Sequence, residues 1–269
     1  MELLWSRGAR QVIFSIVVGY DGTGSLRAVA TNDKIRPFTD VVENFSTFIP
    51  NLAITPWERI GQMVETGTIP AQWQVGDEKD VILEGALDGE VLTFQIYGFD
   101  HDDLASGEKA AITFGMKDLM STTRRMNTAY TNAGSFVGSN LYAWMVDELW
   151  NSLPADLRAV IKQVNKRTSA GNSSSVVNTN PMNLFLFSEI ECFGVVNYAA
   201  ANEGERYPIF TDDASRIKRL QNGAGSATGW WERSPNTSWN FNFCYVTNNG
   251  VTHSNDANLL YGVCFGFCV

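Results

Sequence analysis

A chain of 269 residues that is 44% hydrophobic and 12% aromatic can bury one large core with an appendage, or two small ones. Its formal net charge of −9 speaks against a nucleic-acid partner, because phosphate binding needs clustered Lys and Arg. No apolar run reaches the ~18 residues of a membrane span, so membrane insertion is not expected, and Met1-Glu2-Leu3-Leu4-Trp5-Ser6-Arg7 lacks the basic and apolar regions of a secretory signal peptide.

Residues 1–55 read as an N-terminal attachment or oligomerisation segment, a route to homo-oligomers. Within it, 11–20 looks like a strand that turns at Asp21-Gly22-Thr23-Gly24. A second apolar stretch, 45–54, is interrupted by Pro50 and needs the main domain or a second copy to cover it. Residues 56–269 read as that main domain. Pro56 opens a helix with Trp57, Ile60, Met63 and Val64 on one stripe and Gly67 as its stop. Strand-like runs follow at 81–83, 91–97 and 111–116. The spacing predicts a helix over 139–150, with Tyr142, Met145, Val146, Leu149 and Trp150 on one face. A second is predicted over 154–166, striped by Leu157, Val160, Ile161 and Val164. Residues 168–180 are small and polar, a flexible loop. Leu184-Phe185-Leu186-Phe187 is a short buried strand, and a short helix is expected over 212–220. The alternation Val263, Phe265, Phe267, Val269 predicts a terminal strand in a small antiparallel sheet, with both main helices on one side. The fold class is α+β.

Candidate catalytic chemistry is sparse. On one strand Cys264 and Cys268 would stand roughly 13 Å apart, too far for a disulfide. With Cys192 and Cys244 they read as buried reduced thiols, and no Cys or His spacing suits zinc. Asp100-His101-Asp102-Asp103 holds metal-ligand chemistry, but neighbouring side chains of an extended segment point to opposite faces. The expectation there is a structural histidine beside solvated carboxylates, with no metal. Asp21-Gly22-Thr23-Gly24 lacks the Lys and helix of a phosphate loop. Trp230 and Trp231 read as scaffold that fixes the base of the loops beyond them. No cofactor follows.

The tail is chemically unusual. Residues 236–269 contain no Lys, Arg, Glu, Gln or Met, and one carboxylate, Asp256. What remains is the palette of a paratope, in which rigid aromatics supply contact area at little entropic cost and small polar residues supply adaptable hydrogen bonds. Composition alone leaves a plainer alternative open: a loop-rich domain end whose aromatics are core and whose Asn residues serve turns. Phe243, Cys244, Val246, Gly250, Ala257 and Gly262 are small, apolar or turn-forming, and are assigned to the scaffold. The expected ligand-binding surface, within a diversified segment of about 236–261, is Ser238, Trp239, Asn240, Phe241, Asn242, Tyr245, Thr247, Asn249, Val251, His253, Ser254, Asn255, Asp256, Asn258, Leu259, Leu260 and Tyr261. These should share one contiguous solvent face, with Tyr245 and Tyr261 as anchors. Exposed Phe241, Leu259, Leu260 and Tyr261 would form an apolar patch of the kind that marks a binding site.

An ordered series of stretches carries a resemblance over 57–269. It runs Trp73-Gln74-Val75-Gly76-Asp77-Glu78-Lys79, Ile96-Tyr97-Gly98-Phe99-Asp100-His101-Asp102, Met126-Asn127, Leu153-Pro154, and Phe185-Leu186-Phe187-Ser188-Glu189-Ile190-Glu191-Cys192-Phe193-Gly194. Trp230-Trp231-Glu232-Arg233-Ser234-Pro235 and the ending Gly262-Val263-Cys264-Phe265-Gly266-Phe267-Cys268-Val269 complete it. The series resembles a bacterial and phage domain family with the formylglycine-generating-enzyme version of the C-type lectin fold. That fold also carries the variable proteins of diversity-generating retroelements.

The resemblance implies a C-type-lectin-like domain of small antiparallel sheets, two main helices and long loops. In retroelement systems an error-prone reverse transcriptase alters adenines at the end of the target gene. An Asn codon altered only at its adenines never yields Lys, Glu, Gln, Met or Trp, and Trp239 is the one such residue in the tail. The ending departs from the commoner family form, in which Arg and Pro precede the last apolar residues; here Cys264, Phe265 and Gly266 stand there. The implied function is recognition of a protein or glycan on a target cell surface, by a phage receptor-binding or bacterial display protein. It would be made in a bacterial cytoplasm and, if phage-encoded, carried on the virion tail. The alternatives are a non-diversified structural domain of a phage tail or bacterial surface protein, or an oxidase of the formylglycine-generating type. The oxidase needs a reactive Cys pair, or a Cys with copper, at an open site. Cysteines in an apolar terminal strand do not suit it, so the protein reads as a binder and not an enzyme.

Overall fold

In the computed structural model, residues 51–221 and 225–269 are described in full, preceded by the backbone of four strands. The chain divides into two units, Met1–Ile49 and Pro50–Val269. In the first, β1 (Glu2–Arg7) pairs antiparallel with β2 (Arg10–Ser15), and β3 (Val18–Tyr20) with β4 (Leu26–Ala28). The single strand expected over 11–20 is therefore two strands in different pairs. The expected 21–24 turn and the 45–50 stretch lie outside the described residues.

The second unit begins with a 3-10 turn, Leu52–Ile54, and helix α1 (Trp57–Glu65), which opens after Pro56 and buries Trp57, Ile60 and Met63. Gly67 follows at φ +65°, the left-handed stop its position predicts. Lys79 ties the turn to the sheet: its ammonium donates to the carbonyls of Leu52, Ala53 and Thr55 at 3.5, 3.5 and 2.7 Å.

Strands β5 (Glu78–Ile82), β6 (Val91–Phe99) and β7 (Ile112–Met116) form the expected antiparallel meander. Two later strands complete the sheet: β11 (Phe185–Leu186) and the terminal β16 (Phe265–Cys268), in the order β11-β16-β7-β6-β5. The alternation at the C-terminus predicts one buried face, but β16 is buried on both. On one face Phe267 meets Phe94 at 5.0 Å and Trp57 of α1 at 5.7 Å between ring centroids. On the other, Tyr97 stacks on Phe187 at 4.9 Å. Gly115 and Gly266 permit this close cover, since a Cβ on Gly115 would collide with the Tyr97 ring and one on Gly266 with Phe187.

The middle of the chain departs from periodicity. Ser139 caps α2 (Asn140–Trp144) by accepting from the Tyr142 N–H at 3.0 Å. The helix widens into a π turn at Met145–Leu149 before α3 (Trp150–Ser152). The extra residue in that turn rotates the stripe, so Met145 and Leu149 are buried but Val146 is 48% exposed. Helix α4 (Ala155–Val160) stops well short of 166. Residues Val164–Ser169 are a strand, β9, paired antiparallel with β10 (Val177–Met182). Non-local partners end the helix: the Lys162 N–H donates to the Cys268 carbonyl at 2.9 Å and that of Asn165 to Asp103 at 2.8 Å. The expected flexible loop over 168–180 is thus largely hairpin, turning through Asn172 and Ser173 at positive φ. Further on, α5 (Glu189–Phe193) carries a capping box between Ser188 and Glu191. Helix α6 (Asp213–Arg216) is only part of the expected 212–220.

The last strands build a smaller sheet, β12 (Trp230–Pro235), β13 (Asn242–Val246) and β14 (Thr252–Asp256), in that order. β15 (Leu260–Tyr261) pairs with β8 (Arg124–Arg125). Every residue of β12 is buried. Both indole N–H groups there are satisfied, Trp230 by the Arg216 carbonyl at 3.0 Å and Trp231 by that of Arg124 at 2.9 Å. Together these elements make the class α+β, with several small antiparallel sheets and short helices. Truncating either ring removes a fully buried indole, so Trp230→Ala and Trp231→Ala should each cost about 3–5 kcal/mol of stability. Urea unfolding reads this directly, and wild-type midpoints would show that the rings are not core.

Candidate functional site

The β13–β14 hairpin organises the tail. Its register pairs Tyr245 with His253, Phe243 with Asn255, and Cys244 with Ser254. Side chains alternate across it, so Asn242, Cys244, Val246 and Ser254 point to the interior and are buried, while Tyr245, His253 and Asn255 point outward. At one end the 247–251 turn is anchored by Gly250, at φ +83°, whose carbonyl accepts from Arg216 Nε at 2.9 Å. A Cβ there would collide with the Asp213 carbonyl. At the other end lie the 237–241 and 257–259 loops, joined by the Ala257 N–H to the Phe241 carbonyl at 2.9 Å.

All six residues assigned to the scaffold, Phe243, Cys244, Val246, Gly250, Ala257 and Gly262, are buried. Of the expected surface, Ser238, Trp239, Asn240, Asn249, Val251, His253, Leu259 and Leu260 are exposed. Phe241, Tyr245, Thr247, Asn255, Asp256, Asn258 and Tyr261 are half-buried. Asn242 and Ser254 do not reach solvent. Their strand parity turns them inward, where the Ser254 hydroxyl accepts from the side-chain amides of Asn236 at 2.8 Å and Asn242 at 3.4 Å. The rest of the surface occupies both ends and the outward face of the hairpin.

Two aromatic clusters dominate that surface. In the first, Tyr245 and Tyr261 lie 4.3 Å apart with Trp231 edge-on beneath, 4.7 Å from Tyr261. His253 flanks Tyr245 at 5.7 Å and Tyr198 at 5.7 Å. The Asn255 amide donates to the Tyr261 hydroxyl at 2.8 Å. Burial, then the neighbouring Tyr261 hydroxyl, pushes the Tyr245 phenol well above its ordinary value, so it stays a neutral hydrogen-bonding group. In the second cluster, Phe241 stacks on Tyr130 at 4.3 Å and meets Trp239 at 5.5 Å. Tyr198 and Tyr130 come from outside the tail, and no local signal marked them. The arrangement offers aromatic faces, amides and hydroxyls over a fixed floor, with Asp256 as the one formal charge of the tail.

A buried polar network missed by the sequence reading lies elsewhere in the same unit. Asp102 is no solvated carboxylate. It is 6% exposed, and it accepts from Lys166 at 2.6 Å, Thr113 at 2.6 Å and the Tyr207 hydroxyl at 2.8 Å. Lys166 also pairs with Glu191 at 2.7 Å, and Glu191 with Arg233 at 2.5 Å. Burial opposes the charge on Asp102 and Glu191. The ammonium of Lys166, with polar contacts from His101 and Thr113, wins at Asp102, and Arg233 and Lys166 win at Glu191; both carboxyls sit below their ordinary values. His101 stacks on Tyr207 at 3.9 Å. A polar cavity of about 80 Å³ reaches this network past His101, Lys109 and Glu205. Glu203 lines it too, accepting from the Ser169 N–H at 2.6 Å and from the Ser234 hydroxyl. Burial outweighs the pull of Arg233 and raises the Glu203 pKa to about 7. Among the described residues, no three His, Cys, Asp or Glu side chains are placed to hold a metal ion. All four thiols are buried, and burial raises each pKa.

A family model described as a domain of unknown function (DUF6273) matches residues 112–269. The chain belongs to the DUF6273 family. The DUF6273 match begins in β7 and takes in the buried network's Lys166, Glu191 and Arg233, together with the whole tail surface. Strands β5 and β6 precede it yet complete the same sheet. No curated protein and no solved structure matches the chain.

Glu203 makes stability fall with rising pH. Its carboxyl has an ordinary value of 4.5 and a folded value of about 7, so the folded state holds the extra proton between them. That contribution is full below the first value and lost as the pH rises through the second. Glu203→Gln keeps the neutral form and should remove about 3 kcal/mol of the decline across this window. Urea unfolding at pH 5 and pH 8 tests it, and identical losses in variant and wild type would refute it.

Proposed function

We propose that the exposed and half-buried positions of 237–261 form a ligand-recognition surface, diversified by a retroelement, on a C-type-lectin-like domain. The observation that carries the reading is how the tail divides: all six positions assigned to the scaffold are buried, while fifteen of the seventeen assigned to the surface are exposed or half-buried. Trp239, Leu259 and Leu260 are 56%, 40% and 55% exposed, and large apolar side chains left in solvent favour a binding surface over a solvated domain end. Affinity would rest on Tyr245 and Tyr261, which are held by Trp231 and lose little freedom on binding. The ligand is a protein or glycan on a target cell surface, met by a phage tail or bacterial display protein. Thiol oxidation chemistry finds no support here, because the burial that raises the four thiol pKa values disfavours the thiolate it requires.

The test is a library that randomises the exposed and half-buried set while Asn242 and Ser254 are kept. Most members should fold with near-wild-type melting while their binding to a panel of cell surfaces changes. By contrast Ser254→Val, which strands two buried amides, should cost about 1–3 kcal/mol. A library that mostly fails to fold would make these positions core and overturn the reading.

A further inference from the structure

The 236–242 loop bears the second aromatic cluster, and its main chain is held partly within the loop, by the Asn236 N–H on the Asn242 carbonyl at 3.0 Å and the Asn242 N–H on the Trp239 carbonyl at 3.3 Å, and partly from outside. Asn132 is fully buried beneath it. The Asn132 side-chain amide donates to the carbonyls of Asn242 at 2.8 Å, Trp239 at 3.0 Å and Asn236 at 3.3 Å. With two hydrogens for three acceptors, one is shared. The Asn132 main-chain N–H donates to the Asn240 carbonyl at 2.8 Å, and its side-chain oxygen accepts from the Asn172 N–H at 2.7 Å. Four carbonyls of one short loop thus converge on one residue more than a hundred positions upstream.

The remaining loop bonds also spare the side chains at 238–241. The N–H groups of Ser238 and Trp239 donate to the Asn236 side chain at 2.7 and 3.0 Å, and that of Thr237 to the Tyr198 carbonyl at 2.9 Å. Among the described residues, the side chains of Ser238, Trp239, Asn240 and Phe241 take no part in the loop's hydrogen bonds. The rings of Trp239 and Phe241 touch each other and Tyr130, above the clamp.

We propose that Asn132 is the positioning residue of this recognition loop, fixing its main chain so that its shape does not depend on the side chains at 238–241. The inference rests on the recognition reading for its purpose, but its physical content does not: the clamp holds or fails without any ligand. A side-chain amide is suited to the task because it donates twice and accepts once in one plane. Aspartate, equal in size, would present oxygens to carbonyls and repel them.

Hydrogen–deuterium exchange on the full chain separates the possibilities. In Asn132→Asp and Asn132→Ala, amides of 236–242 should exchange roughly tenfold faster or more, while those of β16 keep their protection. In the combined variant Ser238→Ala, Trp239→Ala, Asn240→Ala, Phe241→Ala, the loop amides should keep wild-type rates within about threefold. Unchanged loop exchange in the Asn132 variants would overturn the proposal. So would loss of loop protection in the combined alanine variant, which carries the test alone if the Asn132 variants do not fold. A clamp that passes while the randomised library binds nothing would fault the recognition reading and leave the positioning role intact.

Discussion

Four segments of the larger unit are joined by a buried ion chain, Asp102–Lys166–Glu191–Arg233. It joins the segment after β6, strand β9, helix α5 and strand β12, none of which are neighbours in sequence. Arg233 alone donates to the Leu186 carbonyl at 2.9 Å, the Glu203 carbonyl at 2.6 Å and the Thr168 hydroxyl at 3.1 Å. Such a chain contributes less to net stability than its short distances suggest, because each ion gave up its water. Its force lies in exclusivity. Removing any one member leaves a buried charge unpaired, a penalty of several kcal/mol, so alternative packings of these four segments are disfavoured. Strand β12 is thereby fixed, and with it the indole floor under the tail.

The same chain explains much of what was legible in the sequence. Asp102, Glu191 and Arg233 each belong to a different stretch of the resemblance series, so three separate signatures report one junction. Helix α1 and strands β5 to β7 were legible because their apolar periods match their geometry. Strand β9 was not: Val160, Ile161 and Val164 satisfy a helical spacing, and only distant carbonyls, those of Cys268 and Asp103, decide against it. The tail divided correctly wherever residue type implied burial. It misled at Asn242 and Ser254, polar residues that serve one another inside. Asn132, Tyr130 and Tyr198 left no trace, since their roles depend on contacts made across long sequence separations.

Two buried glycines set the limit of what the tail can vary. Gly250 and Gly262 stand where a Cβ would collide with the Asp213 carbonyl and with Leu119, so a change there would be the most damaging. Any variation of the tail therefore has to spare these two positions.

The thiols carry a consequence of another kind. With no disulfide, this fold has nothing to lose in a reducing compartment, and with every sulfur sealed and its thiolate disfavoured, it has little to gain or suffer in an oxidising one. Copies crowded side by side would not cross-link through these sulfurs on exposure to air. Folding of this unit therefore calls for no disulfide-forming step.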